Sequence, residues 1–412
     1  MKMLTSENTL FKMTYASVWA IVLFSFVSLS ASALSHILIF IPALYFTFKT
    51  YKEEGLNLSK SNIALLLTIL FAIISIIFAP DIARKFKQVT KLKYMLIGVL
   101  AIYPFIELFK KITRDQVRKM FNTFLVLLAV GNLAGVYALF SGYHPLRMKE
   151  ASDGLRAAGM YGMAITYGYG IELILILMLA ITFLYRKKIS NIANPAIFYI
   201  SMGTTLIGFY FAFARGALLA LIISIPFIFI RRNRKIFLGL LTAGVTFIGI
   251  ITAIVFTTNE DGGGNRFLLK AKTTSNMIRL SQYEAAYKGF LEKPLTGWGY
   301  RNFEPNAYDI KKRNGIDYAE FYGHAHNNYL EFLASTGVFG FISFCLFVLF
   351  WIVEAFKRGD EFSNILFPFI ISFSISGLFQ NTINDGENMF VIMFLYSLTY
   401  SLRPGLKIFE RD

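Results

Sequence analysis

The chain has 412 residues, of which 56% are hydrophobic and 17% aromatic, while only 16% are charged. This apolar content excludes an intrinsically disordered chain, and the single cysteine excludes a disulfide-stabilised secreted domain. The formal net charge of +16 is typical of proteins that bind nucleic acid or of membrane proteins that meet anionic lipids. The basic residues stand in short groups between long apolar stretches, so the sequence favours a polytopic membrane protein.

Apolar segments follow one another along most of the chain, and about twelve of them approach the length that a helix needs to cross a bilayer. They lie at 14–31, 33–48, 63–79, 93–109, 121–140, 162–185, 197–213, 216–230, 236–257, 327–353, 363–380 and 388–402. We therefore predict an all-α polytopic membrane protein with about twelve transmembrane helices. Its parts would be nine helices in residues 1–257, a loop at 258–325, and three helices in 326–412. The first apolar segment also has features of a cleavable signal peptide, so its retention stays open.

The distribution of lysine and arginine predicts the orientation of these helices. Basic groups such as 186–188, 231–235 and 357–358 lie on one side, which indicates cytoplasmic N- and C-termini. The loop 258–325 would then face the opposite side. The basic stretch 84–93 breaks this pattern on the outer side. It is either a solvated helix face or an interfacial helix that attracts lipid phosphates, through residues such as Arg84, Lys85 and Lys87.

The loop 258–325 carries a structural pattern of its own, as long functional loops usually do. Apolar residues recur at helical spacing up to Pro294, which predicts a helix with one apolar face formed by Met277, Leu280, Tyr283, Tyr287 and Phe290 or Leu291. Arg279 lies on this helix, where it is either an ordinary solvated charge or a ligand contact. Gly-rich turn chemistry follows and carries Arg301, and Lys311, Lys312 and Arg313 then form a basic cluster.

Two of the four histidines, His324 and His326, stand at the start of the tenth predicted helix. The positive end of a helix dipole disfavours imidazolium, so a neutral His326 could accept a proton as a general base. The same position also suits a histidine that only caps the helix. The pair could bind a metal, but no further ligands are evident nearby, and we predict no metal or other cofactor.

Arg215 interrupts about thirty apolar residues, and an ionisable residue at membrane depth is a candidate for function. A guanidinium also suits bidentate contact with phosphate oxygens. Alternatively, Arg215 snorkels from a tight external turn. Asp385 and Glu387, in the last external loop, either orient the histidine or an arginine, or are ordinary turn residues.

Together these features resemble the O-antigen ligase and polymerase superfamily of membrane glycosyltransferases. The histidine motif is His326-Asn327 followed by nine residues and then Gly337-x-x-Gly340. The other features are Arg215-Gly-Ala-Leu-Leu219 and the long loop that directly precedes the histidine. Arg279 resembles the second arginine of the family, upstream of the turn Lys293-Pro294-Leu295-Thr296-Gly297-Trp298-Gly299.

The resemblance implies a GT-C-like, metal-independent transferase in the bacterial inner membrane, with its active site on the periplasmic face. It would move a glycan from undecaprenyl diphosphate to a sugar hydroxyl of lipid A-core, with inversion. His326 would be the base, and Arg215 and Arg279 would hold the diphosphate. Supporting residues would be His324, Asn327, Arg301, Asp385 and Glu387, and contacts to acceptor phosphates would come from Arg84, Lys85, Lys87, Lys311, Lys312 and Arg313.

Two other functions remain open. A polymerase of the same superfamily would join lipid-linked repeat units of O-antigen or exopolysaccharide. A transporter of lipid-linked glycans belongs to a different class and would need polar residues along several helices near the membrane midplane. The polar residues of this sequence concentrate at one external face, which favours a transferase.

Overall fold

A computed structural model describes residues 6–25, 29–80, 82–152, 154–257, 274–320, 322–403, 405 and 409. Most of the described residues lie in helices, so the predicted mostly helical fold is confirmed. One short antiparallel hairpin joins β1 (Tyr143–His144) to β2 (Lys149–Glu150). Two short 3-10 turns lie at Arg186–Asn191 and Ile225–Phe229.

The described part of the chain contains sixteen α-helices. They are α1 (Glu7–Phe24), α2 (Leu29–Glu53), α3 (Lys60–Ile77), α4 (Ile82–Lys91), α5 (Lys93–Leu100), α6 (Ile102–Phe109), α7 (Arg114–Ser141), α8 (Ala164–Tyr185), α9 (Pro195–Ala212), α10 (Arg215–Ser224), α11 (Arg234–Thr257), α12 (Thr274–Glu292), α13 (Phe303–Arg313), α14 (Asn328–Arg358), α15 (Glu361–Ser376) and α16 (Gly386–Ser401). Several of these helices begin at a residue whose side chain caps the first turn. Thr113 and Gln116, for example, form a capping box at the start of α7.

Six of these helices are long and apolar enough to cross a membrane. They are Ala33–Glu53, Lys60–Ile77, Arg114–Ser141, Ala164–Asn191, Pro195–Ala212 and Asn328–Arg358. The pair Lys87–Leu100 and Ile102–Phe109, bent by 40°, passes the same test as one broken span, and Arg215–Phe229 and Glu361–Ser376 are shorter apolar helices. The other predicted segments also coincide with helices, except that 14–31 is misplaced. Ser6 caps α1 well before the apolar run begins, so the helix starts earlier than predicted, and the predicted segment runs past its end.

The surface of the bundle is apolar along its helices, as expected for a protein that contacts lipid. Ile37, Phe140, Ile200 and Val245 are each more than three-fifths exposed, on four different helices. A water-soluble monomer rarely exposes so many large apolar side chains. Inside the bundle, α8 packs against α9, α10, α15 and α16, so its polar N-terminal end is enclosed by the elements that carry the candidate site.

Helix α14 is broken at Gly337, which has φ 70° and ψ −171°. The rings of Phe332 and Phe344 stack with centroids 4.2 Å apart, and Tyr329 lies 5.7 Å from Phe344. In a straight helix, twelve residues would separate Phe332 from Phe344 by about 18 Å along the axis. The first nine residues of α14 therefore fold back against the long remainder of the helix, and they carry the start of α14 towards the end of α15.

Helix α15 has sixteen residues, which corresponds to a length of about 24 Å. Its C-terminal end meets the start of α14, because the Asn328 backbone N–H donates to the carbonyl of Gly377 over 2.7 Å. The side chain of Asn328 also donates to Thr382 and accepts from the backbone N–H of Ile383. The connection between α15 and α16 is thus attached directly to the histidine-bearing end of α14.

Candidate functional site

The break in α14 is occupied by the turn that follows α12. The backbone N–H groups of Trp298 and Gly299 donate to the carbonyls of Ala334 and Ser335, over 3.0 and 2.8 Å. On the other side of the break, the N–H of Val338 donates to the carbonyl of Pro294 over 2.8 Å. The turn therefore replaces backbone hydrogen bonds that the break removes from the helix, which is costly inside a membrane unless other partners are found.

Glycine is required on both sides of this contact. A Cβ on Gly337 would lie 2.3 Å from the carbonyl oxygen of Leu295, and a Cβ on Gly297 would lie 2.4 Å from the backbone of Ser335. Both residues also have positive φ, which favours glycine. Two glycines of the sequence motifs thus have one shared purpose, the close approach of two backbones.

The segment that carries the histidines is held by the first turn of α14. The Asn327 side chain caps this helix by accepting from the N–H groups of Tyr329 and Leu330, and it donates to the carbonyl of Leu378. The backbone N–H of Ala325 donates to the Glu331 carboxylate over 3.0 Å. His326 itself has φ 49°, a conformation that a non-glycine residue adopts only when its surroundings hold it there.

The imidazole of His326 is in contact with Gln380 and His324. Its Nδ1 lies 2.9 Å from the Oε1 atom of Gln380, and its backbone N–H donates to the Nδ1 atom of His324 over 3.1 Å. The two histidine rings meet edge to face with centroids 4.2 Å apart. The side chain of Gln380 is almost completely buried. Sequence reasoning did not single out Gln380, although it stands in the same polar stretch as Asp385.

Burial makes both histidines weak bases. It lowers the pKa of His324 to about 3, with further lowering by the charges of His326, Arg301 and Arg279. Burial also lowers the pKa of His326, partly opposed by the hydrogen bond with Gln380. Both rings are therefore neutral at pH 7. This agrees with the sequence-based expectation for His326, but the main cause is loss of water rather than the helix dipole.

Two arginines from distant parts of the sequence lie near each other, and one of them lies near His326. Arg279 lies on α12, close enough to interact electrostatically with His326 and with Arg215, the first residue of α10. Arg279 also interacts electrostatically with Tyr169. A Cβ on Gly216, the residue after Arg215, would lie 2.1 Å from the Tyr169 hydroxyl, so Tyr169 packs against the start of α10. Two neighbouring positive charges attract a multivalent anion.

A second group of charged residues interacts with His324 and Asp385. Arg301, which has φ 58°, interacts electrostatically with His324 and Asp385. Glu387 interacts with Asp385 and with Lys91, the last residue of α4, and Lys91 also interacts with Arg301. Burial raises the pKa of the Asp385 carboxyl to about 7, and Glu387 raises it further.

The remaining basic residues of the prediction lie in different surroundings. Lys311 is buried, and its ammonium donates to the Ser281 hydroxyl over 2.7 Å and to the carbonyl of Ala319. Burial lowers the pKa of Lys311 to about 8. It packs inside the loop, and this placement does not support contact with an acceptor phosphate. Arg313 is ion-paired with Glu292 and lies over the Trp298 ring, whereas Lys312 is exposed.

The basic stretch 84–93 lies largely in helix α4, on which Lys87 is exposed. The side chains of Arg84 and Lys85 lie outside the described residues, as do residues 258–273 of the long loop. Among the residues that the structure does describe, no group of three or more His, Cys, Asp or Glu side chains is placed to hold a metal ion.

The predicted apolar face of α12 is wrong. Leu280, Tyr287 and Leu291 are each about half exposed, whereas the buried face consists of small or polar residues: Ser281, Gln282, Ala285, Ala286 and Gly289. Small residues allow α12 to pack closely on α13, on α14 and on the indole of Trp298, whose Nε1–H donates to the carbonyl of Gly289. The helix itself and its end before Pro294 are as predicted.

The site can now be compared with known proteins. Residues 200–345 match a protein-family model described as O-antigen ligase. This stretch includes Arg215, Arg279, His326 and Gly337, and thus the two arginines, the histidine and the helix break, whereas Gln380 lies outside it. A comparison with curated proteins gives no match. The match covers about a third of the chain, and over residues 200–345 the chain is similar to the O-antigen ligase family.

Proposed function

We propose that the protein is an O-antigen ligase, which transfers a glycan from undecaprenyl diphosphate to a sugar hydroxyl of lipid A-core. The observation that carries this proposal is one neutral histidine, His326, near Arg279, which in turn lies near Arg215, at the enclosed end of apolar helices. The transfer needs a base for the acceptor hydroxyl and cations for the departing diphosphate, and this arrangement contains both.

In the proposed mechanism, the acceptor hydroxyl attacks the anomeric carbon on the face opposite the diphosphate and inverts it. The hydroxyl proton passes to Nε2 of His326, and the bond between the anomeric carbon and the diphosphate oxygen breaks. Arg215 and Arg279 stabilise the negative charge that develops on the leaving group. Their guanidinium groups stay charged and would supply the role that a divalent cation has in other transferases, so we expect metal-independent transfer.

The choice of ligase over polymerase rests on the second charged group. Lys91 interacts electrostatically with Arg301, Arg301 interacts with His324, and α4 adds the exposed Lys87. A phosphorylated core oligosaccharide would find cations there that are separate from the diphosphate-binding pair. A lipid-linked repeat unit would present such an anion only at its carrier end.

The proposed topology has about twelve spans in a GT-C-like arrangement in the bacterial inner membrane, with both termini cytoplasmic. The elements that meet at the site are the starts of α8, α10, α14 and α16 and the end of α15. The opposite ends of these helices carry basic groups, including 186–188, 231–235 and 357–358, as expected for a cytoplasmic face. The site would then face the periplasm.

The test is reconstitution of the purified protein in vesicles with an undecaprenyl-diphosphate-linked glycan and lipid A-core. We expect glycan-bearing lipid A-core as product, and no product from His326→Ala at equal protein level. His144→Ala is a matched control, because His144 is a buried histidine of the β1–β2 region whose Nε2 bonds to the carbonyl of Gly159 and which has no assigned role in transfer. Normal transfer by His326→Ala would contradict the assignment of the base.

The same vesicles separate the competing functions. If the donor is consumed only to form longer lipid-linked glycan, without any use of lipid A-core, the protein is a polymerase. If the donor crosses the bilayer and stays chemically unchanged, the protein is a transporter. Either result would replace the ligase proposal.

A further inference from the structure

Gln380 connects His326 to a buried carboxylate. The Oε1 atom of Gln380 lies 2.9 Å from Nδ1 of His326, and its side chain also lies close enough to Asp385 to lower the pKa of that carboxyl. Only 1% of the surface of Gln380 is exposed, so water does not compete for these contacts. The three side chains come from the segment before α14, from the α15–α16 connection and from the residue that precedes α16.

The chemistry of the two neighbours fixes the direction of these hydrogen bonds. An amide has one accepting oxygen and one donating nitrogen, which are hard to tell apart by shape alone. The carbonyl oxygen of Gln380 faces Nδ1 of His326, which leaves the amide nitrogen to donate to Asp385 when that carboxyl is ionised. The proton of neutral His326 is then on Nδ1, and the lone pair is on Nε2.

The backbone holds this arrangement in place. The N–H of Gln380 donates to the carbonyl of Ser376 over 3.0 Å, which continues the last turn of α15. The N–H of Met389 donates to the carbonyl of Asp385 over 2.9 Å at the start of α16. The His326 backbone in turn donates to Nδ1 of His324, so the proton of neutral His324 is on Nε2 and the two histidines have opposite tautomers.

We propose that Gln380 is a positioning residue that keeps His326 in the Nδ1–H tautomer. This inference rests on the proposed role of His326 as the base. When Nε2 accepts the proton of the acceptor hydroxyl, the imidazolium keeps its Nδ1–H bond to the carbonyl oxygen of Gln380. The polarised amide stabilises the new positive charge without giving up a proton of its own.

The first test needs no enzymatic activity. The chain has four histidines, so ¹⁵N NMR of histidine-labelled protein in vesicles has few signals, and His326→Ala identifies the signals of His326 by their loss. We expect a protonated Nδ1 and an unprotonated Nε2 for His326 in the wild-type protein. A protonated Nε2 in the neutral ring would overturn the proposal, whatever the activity of any variant.

The second test measures transfer kinetics. Gln380→Met keeps the length of the side chain and removes its hydrogen bonds, and we expect kcat to fall about 10- to 100-fold with little change in KM. Gln88→Met, at another buried glutamine, is the matched control and should keep the wild-type kcat. Gln380→Glu places a carboxylate directly on His326, so the pH at which activity falls on acidification should rise.

These results separate the positioning role of Gln380 from the proposed function. If His326→Ala is inactive while Gln380→Met has the wild-type kcat and pH profile, then the base assignment stands and the positioning role of Gln380 is wrong. If His326→Ala is fully active, then the proposed mechanism itself is wrong. If Gln380→Met does not fold, the NMR measurement on the wild-type protein still decides the proposal.

Discussion

Replacing Gly337 with alanine should inactivate the enzyme without touching any residue that contacts substrate. The backbone of Gly337 lies in a region that is essentially restricted to glycine, so a side chain there costs about 1–3 kcal/mol. The new Cβ would lie 2.3 Å from the carbonyl oxygen of Leu295 and 2.8 Å from that of Pro294. Both are backbone atoms, so the whole turn has to move.

The displaced turn would weaken three backbone hydrogen bonds, those of Trp298, Gly299 and Val338, each of which contributes about 0.5–1.5 kcal/mol. The combined cost is about 3–7 kcal/mol. Even the lower value shifts the equilibrium between docked and undocked turn by about 100-fold. Because α12 and Arg279 precede this turn, and His326 lies at the end of the folded-back segment, both should lose their positions together.

The assay is the initial rate of glycan transfer in vesicles, together with the thermal unfolding temperature of the purified protein. Gly203→Ala is the matched control, because Gly203 lies within α9 and no atom lies within 4 Å of its added Cβ. We expect wild-type transfer from the control and at least about 100-fold slower transfer from Gly337→Ala. Wild-type rate and unfolding temperature in Gly337→Ala would refute this explanation of the motif glycine.

Three further predictions concern charge. Arg279→Lys should lower kcat/KM about 10-fold or more, since an ammonium cannot replace a bidentate guanidinium. Arg313→Lys, on the same loop, should have little effect. Equal effects of the two variants would contradict a diphosphate contact of Arg279. Transfer should persist after treatment with EDTA, and a loss that Mg²⁺ restores would show that a metal is needed. Burial raises the pKa of Asp385 to about 7, so the wild-type protein loses stability as the pH rises towards that value. Asp385→Asn should therefore raise the unfolding temperature more at about pH 8 than at about pH 5, although it slows transfer. An equal change at both pH values would argue against a buried charge at Asp385.

Local sequence patterns were sufficient to predict most of the helices and to single out candidate residues such as Arg215 and His326. Apolar runs mark helices because each span must face lipid or the core, and an arginine such as Arg215 stands out against that background. His326 was recognisable because it stands at a helix start and belongs to a spaced motif. Both signals are contained in short stretches of sequence, so neither depends on knowing the fold.

The contacts that position these residues depend on parts of the chain that are distant in sequence. In the sequence, the stretch around Gly337 resembles one continuous apolar helix. Its break is not visible there, because the turn that fills the break lies about forty residues earlier. The burial of Lys311 depends on Ser281 and on the carbonyl of Ala319, so the sequence shows only a basic cluster. Gln380 has no charge and no motif of its own, and only its packing against His326 and Asp385 gives it a role.

The lengths of α10 and α15 have a consequence for the surrounding lipid. A helix of about 24 Å is shorter than the hydrocarbon core of a typical bilayer, which is about 30 Å thick. Such hydrophobic mismatch is relieved by local thinning of the membrane. The head-group layer would then dip towards the start of α10, and a lipid-borne diphosphate could reach Arg215 without leaving that layer. Transfer should consequently slow in vesicles made from lipids with longer acyl chains, even when the head groups are unchanged.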